Sequence, residues 1–188
     1  MESKILRFYL GIYRHPGTNA TIDEMWLWDD ARLEGIQGYL TWWFPTRKQA
    51  FSAEWEPIRD EEIEQFRTAP DLRRRVIKSF YRMLRFYGLA VQQPAPGPVD
   101  SPARSLAVSR AENWDERKAA WVTRDNHNYR RISRILQSLV LLGFKDAADM
   151  FLEALLAVYE ENRKTIGATT RDFWVSSVND PRYWNGTL

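Results

Sequence analysis

The stretch PDLRRRVIKSFYRMLRFYG, Pro70 to Gly88, carries the strongest structural pattern in this sequence. At about 100° per residue, its apolar side chains fall on one face of a helix and its basic side chains on the other. Proline suits the first turn of a helix, and Gly88 suits the left-handed residue that ends one. The stretch therefore predicts an amphipathic helix from about Pro70 to Tyr87. Its expected buried face comprises Leu72, Val76, Ile77, Phe80, Tyr81, Met83, Leu84 and Tyr87.

Most of the remaining sequence also shows helical spacing, interrupted by turn residues. Further helices are predicted near Met25 and Trp26, from Asp29 to Phe44, at Asp60, from Glu112 to Trp121, from about Asn126 or Asn128 to Leu142, from Asp146 to Asn162, and around Phe173. Residues 92–103 contain four prolines and predict an exposed loop. No period-2 alternation of useful length occurs, so no sheet is expected. We predict an all-α fold: a single compact multi-helix domain, residues 1–188, of about six or seven helices with a proline-rich central loop.

Composition narrows the classes of function. The 188 residues include no cysteine and only two histidines, which excludes disulfides, thiolate metal sites and cysteine nucleophiles. The net charge of +2 is too small to predict nucleic-acid binding from the electrostatic field of the whole protein. No apolar run is long enough to span a membrane, and the first residues lack a signal-peptide pattern. We expect a soluble cytoplasmic protein, or a nuclear one in a eukaryote, with no cofactor and no metal.

Catalytic templates are also absent from the sequence. It contains no Gly-x-Ser-x-Gly elbow, no phosphate-binding glycine-rich loop and no His-Glu-x-x-His motif. His127 alone, without an assigned nucleophile, does not define a mechanism. We therefore predict that the protein is not an enzyme, and an enzyme of unknown type ranks third among the interpretations.

The helix predicted near His127 has an expected buried stripe of Ile132, Ile135, Leu136, Leu139 and Leu142. Polar and basic side chains share its other face. Steps of four and three residues bring His127, Arg131 and Arg134 to the same side. Two arginines one turn apart suit a carboxylate or a phosphate. The alternative is a purely structural role, in which these arginines pair internally with Glu112, Asp115 or Glu116 or are simply solvated.

A crowded aromatic block precedes Pro45. Tyr39, Trp42, Trp43 and Phe44 present more aromatic surface than one helical turn is expected to bury, although core packing is the ordinary role of such rings. We predict a cleft that binds a peptide or small-molecule ligand with an anionic end. The predicted ligand-binding residues are His127, Arg131, Arg134, Tyr39, Trp42 and Trp43.

The basic face of the helix from Pro70 gives the alternative function. Its predicted basic surface consists of Arg74, Lys78, Arg82 and Arg85. Such a face suits a nucleic-acid or anionic-surface adaptor. More often it is only solvated, and nucleic acid is therefore not the favoured partner.

Four blocks of the sequence carry a resemblance to a known family. They are Leu6 to Tyr9, Leu33 to Pro45, Phe80 to Leu89, and HNYRRISRILQSL from His127 to Leu139, which is closed by Leu142-Gly143-Phe144. In this order they resemble the opioid growth factor receptor domain family. The resemblance implies a receptor-like binding domain with no catalytic residues to assign. Animal members are receptors for an enkephalin pentapeptide, are associated with the nucleus and restrain cell growth.

Overall fold

Helices dominate the structure, a computed structural model that describes residues 3–36, 38–48, 57–92 and 106–185. Within these ranges the chain forms twelve helices and two strands. The first half contains α1 (Lys4–Tyr9), α2 (Ile22–Trp26), α3 (Asp30–Gly35), α4 (Tyr39–Trp43), α5 (Asp60–Thr68), α6 (Pro70–Phe86) and β1 (Leu89–Gln92). The second half contains β2 (Ala107–Arg110), α7 (Trp114–Trp121), α8 (Asn128–Leu141), α9 (Lys145–Glu161), α10 (Arg163–Ile166), α11 (Ala168–Asn179) and α12 (Pro181–Asn185). No helix in the described ranges is long and apolar enough to cross a membrane.

The number of helices corrects the sequence prediction. About six or seven were expected, whereas the described residues form twelve. The helix predicted from Asp29 to Phe44 is divided into α3 and α4, because Ile36 leaves the helical region with φ −99° and ψ 121°. The helix predicted to reach Asn162 is followed by the separate short helix α10. The fold is predominantly α-helical, but it is built from more and shorter helices.

A small antiparallel sheet is the second correction, because no sheet was predicted. β1 pairs with β2 from Leu89 opposite Arg110 to Gln92 opposite Ala107. Each strand has four residues, which is too short to show a clear alternation of apolar and polar positions. Gln92, the first residue of the predicted proline-rich loop, ends β1, and residues 93–103 of that loop lie outside the described residues.

Gly88 makes the turn from α6 into this sheet. Its φ of 75° lies in the left-handed region, and a Cβ atom at this position would stand 2.9 Å from the Cα atom of Trp114. Its carbonyl oxygen accepts a hydrogen bond of 2.9 Å from the backbone N–H of Ala111. Both the backbone conformation and the close approach of α7 therefore favour glycine here.

The apolar faces predicted for α6 and α8 form the centre of the core. The predicted core residues Phe80, Leu84, Ile132, Ile135, Leu136 and Leu139 are all buried, which confirms that assignment. Two residues of the buried face predicted for α6 differ: Ile77 is half-buried, and Tyr81, at the edge of the apolar arc, is 49% exposed. α8 packs against α9, α11 and α12, and its polar side meets residues 33–46.

Candidate functional site

The predicted polar side of α8 runs along the backbone that carries α3 and α4. We call Asn128, Arg131, Arg134 and Ser138 the α8 arc, with His127 immediately before it as the residue that precedes the first helical turn. Each member of the arc contacts a residue between Leu33 and Thr46. The structure therefore brings the two predicted arginines together, but they contact residues between Leu33 and Thr46 rather than line an open cleft.

Arg131 binds the end of α3. Its guanidinium donates to the backbone carbonyl oxygens of Leu33 and Glu34 at 3.1 Å and of Ile36 at 3.3 Å. The last carbonyl groups of a helix have no partner within that helix, and a cation placed there also suits the helix dipole. Arg131 is only 7% exposed. Its position is that of a structural tie between α8 and α3.

Glu34 supplies the negative charge of this region. One carboxylate oxygen lies 3.0 Å from Nε2 of His127, and the other lies 3.7 Å from Nη1 of Arg131. The side-chain amide of Asn128 donates to both oxygens, at 3.1 and 3.2 Å. His127 itself is exposed. Two of the three predicted ligand-binding side chains of this helix, His127 and Arg131, therefore already face a carboxylate.

Arg134 differs from Arg131 in its partners. Its Nη1 atom donates to the hydroxyl of Thr46 at 3.0 Å and to the carbonyl oxygen of Phe44 at 3.4 Å, and both acceptors are neutral. Among the described residues, no carboxylate pairs with it. Burial lowers the pKa of the Arg134 guanidinium to about 10, so the group still carries its charge at neutral pH. A partly desolvated cation without a counter-ion is a favourable place for an external anion.

The aromatic block lies in the core. Tyr39 and Trp43 are fully buried, and Trp42 is 5% exposed. The Tyr39 and Trp43 rings meet edge to face at 5.1 Å, and Trp42 packs against Phe8 at 5.3 Å. Arg131 reaches this block, because its guanidinium carbon lies 6.0 Å from the Tyr39 ring centroid. The ligand-binding role predicted for these rings stays a prediction, and their observed contacts are those of core side chains.

The predicted basic surface of α6 is partly covered by α2 and α3. Arg82 donates to a carboxylate oxygen of Asp30 at 2.8 Å and to the carbonyl oxygen of Trp28 at 2.6 Å, and its side chain is 13% exposed. This corrects the prediction that Arg82 belongs to the outer surface. Lys78 lies over the Trp26 ring, with its Nζ atom 4.0 Å from the ring centroid.

Lys78 and the two other predicted surface residues, Arg74 and Arg85, are exposed. Arg74 pairs with Asp71 of the same helix, and Arg85 lies near the end of α6. The face is therefore less continuously basic than the sequence pattern indicates.

Sequence reasoning missed the acidic partners of these arginines. Asp30 and Glu34 lie four residues apart and share one face of α3, so a signal was present in the spacing. An acidic pair at that spacing indicates basic partners on a neighbouring element.

Comparison with known proteins identifies the family. The sequence profile described as the opioid growth factor receptor (OGFr) conserved region matches residues 1–185. The chain belongs to this family, which confirms the resemblance seen in the four sequence blocks.

The proteins to which this chain is similar are longer than the matched region. The chain is similar to opioid growth factor receptor-like protein 1 of Mus musculus, at 29% identity over 182 residues. That match covers 94% of this chain and 37% of the mouse protein. It is also similar to the opioid growth factor receptor of Homo sapiens, at 31% identity over 113 residues, or 60% of this chain and 15% of the human protein. The chain therefore spans well under half the length of these relatives. No solved structure matches it.

Proposed function

We propose that this chain is a non-enzymatic binding domain that recognises a peptide or small ligand through an anionic group held at Arg134. The observation that carries the proposal is the set of neutral acceptors around this guanidinium, Thr46 and Phe44. Arg131 and His127 face Glu34, whereas Arg134 faces no carboxylate in the described ranges. Of the three basic side chains in the predicted site, the proposal thus keeps only Arg134 as the group that binds the ligand.

The surroundings of Arg134 also support a ligand with an aromatic body. Two residues after Thr46, the ammonium of Lys48 lies 5.5 Å from the Tyr183 ring centroid in α12, a helix that packs against α8. Tyr183 meets Phe173 edge to face at 6.3 Å, and Phe173 is 49% exposed. Phe173 is exposed and Tyr183 is half-buried, unlike the fully buried Tyr39 and Trp43 of the aromatic block.

The affinity expected from this arrangement is modest. A charge-assisted hydrogen bond from Arg134 to a carboxylate contributes about 1.5–3 kcal/mol. Stacking on an accessible ring adds about 0.5–1.5 kcal/mol. Because the guanidinium is already partly desolvated, less hydration is lost when the anion arrives. We expect dissociation constants in the micromolar range.

A pair of matched peptides tests the role of the anionic end. The names of the relatives and the family resemblance support an enkephalin pentapeptide as the probe, once with a free carboxylate and once as its C-terminal amide. Isothermal titration calorimetry should show saturable binding of the free acid and binding of the amide weaker by about tenfold or more. Equal binding of the two peptides contradicts the proposal, as does no heat for either.

A matched set of variants tests the role of Arg134 as the anchor for the anionic group. Arg134→Gln should remove the preference for the free acid, and Arg134→Lys should restore part of it because the positive charge returns. Arg85→Gln changes an exposed arginine on a different helix and should bind like the parent. Circular dichroism of each variant shows whether the fold is kept. An Arg134→Gln protein that is folded and retains the full preference for the free acid would refute the anchor.

Salt dependence separates this function from the adaptor alternative. One carboxylate contact should respond weakly to salt between about 50 and 200 mM, whereas a surface that neutralises several phosphates loses affinity by orders of magnitude over this interval. The same calorimetric titration with a DNA duplex therefore measures the alternative directly. Tight, steeply salt-dependent binding of DNA would favour the adaptor.

A further inference from the structure

One carboxylate at the start of α3 contacts two arginines that come from different helices. Nη2 of Arg82 in α6 donates to one oxygen of Asp30 at 2.8 Å, and Nε of Arg117 in α7 lies 3.6 Å from the other oxygen. The side chains of Arg82 and Arg117 are only 13% and 10% exposed, whereas that of Asp30 is 27% exposed. We call these three residues the Asp30 cluster, which reaches solvent along the exposed edge of Asp30.

Two donor atoms of the Asp30 cluster are buried and have no hydrogen-bond partner among the described residues. They are Nη1 of Arg82 and Nη2 of Arg117. A buried charged donor without an acceptor is costly, and such groups are normally paired with protein, water or an ion. The Asp30 cluster therefore has more buried donors than the protein has acceptors to offer them.

Both guanidinium groups are held in place by their other nitrogen atoms. Nη2 of Arg82 donates to the carbonyl oxygen of Trp28 at 2.6 Å, and Nε of Arg117 donates to that of Phe86 at 2.6 Å. The guanidinium carbon of Arg117 also lies 4.6 Å from the Phe86 ring centroid. Because these contacts fix the two groups, a ligand that binds their remaining donors has little side-chain ordering to offset.

The charges of the Asp30 cluster favour an anion. Two guanidinium groups face one carboxylate, which leaves one positive charge in excess. One turn away on the same helix faces, α6 adds the exposed Lys78 and Arg85, whereas α3 adds only Glu34.

Glu34 does not compensate this excess. Its carboxylate already faces His127 and Arg131 and accepts from the side-chain amide of Asn128. On α7, the positions three and four residues from Arg117 carry no charge, and they are Asn113, Trp114, Ala120 and Trp121. The positive excess therefore stays with the Asp30 cluster.

We propose that the Asp30 cluster binds a phosphate group, which accepts hydrogen bonds from Nη1 of Arg82 and Nη2 of Arg117. Guanidinium donors match phosphate oxygens well, and one phosphate has enough oxygens to accept from both arginines. A water molecule could accept the same hydrogen bonds, but it would leave the positive excess in place. The Asp30 cluster is separate from Arg134, which contacts Thr46 and Phe44, so either proposal can fail without the other.

Inorganic phosphate is the first probe. It replaces chloride at constant ionic strength and neutral pH, while two-dimensional NMR follows the backbone amide groups. The amides of Asp30, Arg82 and Arg117 should shift in a saturable manner, with half-saturation at about 0.1–1 mM. A parallel titration with glycerol 3-phosphate distinguishes the sources, because tighter binding of the ester assigns a phosphorylated small molecule and tighter binding of phosphate assigns the free ion. No saturable shift with either probe refutes the site.

Opposite effects of two substitutions provide the second test. Asp30→Asn removes the negative charge beside the bound anion and should tighten phosphate binding by about three- to tenfold. Arg117→Met removes one of the two donors and should weaken binding by about tenfold or more. Asp71→Asn and Arg74→Met make the same changes in charge at exposed positions of α6 and should bind phosphate like the parent. Circular dichroism shows which variants keep the fold.

The gain in Asp30→Asn separates a binding site from a structural role. If the Asp30 cluster only stabilises the fold, Asp30→Asn lowers the free energy of unfolding without tightening phosphate binding, and this result overturns the proposal. Arg134→Gln must leave the phosphate-induced shifts at Arg82 and Arg117 unchanged. Loss of these shifts in a folded Arg134→Gln protein places the anion at Arg134 instead and also refutes the site.

Discussion

Replacing Arg131 with methionine tests whether the α8 arc holds α3 in place. The substitution keeps an apolar stem of similar reach but removes the guanidinium that donates to the carbonyl oxygens of Leu33, Glu34 and Ile36. Hydrogen bonds from a charged donor contribute about 1.5–3 kcal/mol, and a buried acceptor left without its partner adds a desolvation penalty. The carboxylate of Glu34 keeps His127 and Asn128 as neighbours, so the loss of charge is partly compensated.

We therefore expect Arg131→Met to lower the free energy of unfolding by about 3 kcal/mol. Equilibrium unfolding in urea, followed by tryptophan fluorescence and circular dichroism, measures this difference. For a domain of this size the midpoint of thermal unfolding should fall by about 6–12 °C. Arg130→Met is the matched control, since Arg130 is exposed one residue earlier on α8 and should change stability by less than about 0.5 kcal/mol. If both variants stay within about 0.5 kcal/mol of the parent, the described contacts do not stabilise the fold.

Three further outcomes are expected. Leu136→Ala empties a fully buried position and should cost about 2–5 kcal/mol in chemical unfolding. Arg82→Met should lower the free energy of unfolding by about 1.5–3 kcal/mol because Asp30 loses its closest cation. The same change at the exposed Arg74 should stay within about 0.5 kcal/mol. Equal effects of the two variants would contradict the finding that Arg82 is covered whereas Arg74 is exposed. Burial raises the pKa of Tyr129 to about 12, so its contribution to stability is complete below pH 10 and is lost as the pH rises toward 12. Phenolate absorbance should accordingly increase in step with the loss of helical circular dichroism, and ionisation of all tyrosines without unfolding would refute that coupling.

The long amphipathic helices could be predicted from the sequence because their own composition determines them. α6 spans seventeen residues with a terminal proline and a following glycine, and its observed bounds differ from the predicted ones by a single residue. α8 has a continuous apolar stripe, so its core residues Ile132 and Leu136 could be named in advance. Helices of this length show several turns of periodicity, and a few irregular positions do not obscure it.

Short elements could not be predicted in the same way. β1 and β2 have four residues each, and their pairing depends on Gly88 and on packing against α6 and α9. The break between α3 and α4 depends on Ile36 taking an extended conformation while its carbonyl oxygen accepts from Arg131. Such a tertiary contact overrides local helical spacing, and no spacing pattern in the sequence encodes it.

The candidate site could likewise be predicted only in part from the sequence. The spacing of four and three residues correctly placed His127, Arg131 and Arg134 on one side of α8. It could not show that Arg131 faces a carboxylate as well as backbone carbonyl groups whereas Arg134 meets only neutral acceptors, since backbone acceptors leave no signature in the sequence. Burial and partner chemistry make that distinction, and they separate Arg134 from its neighbour Arg131.

The most direct test of this distinction is the NMR signal of the arginine side chains during a titration with the free-acid enkephalin pentapeptide. The Nε–Hε cross-peak of Arg134, assigned by its absence in Arg134→Gln, should shift in a saturable manner. The cross-peak of Arg131, assigned in the same way, should stay in place because its donors remain on the end of α3. A saturable shift of Arg131 with no shift of Arg134 would contradict the account.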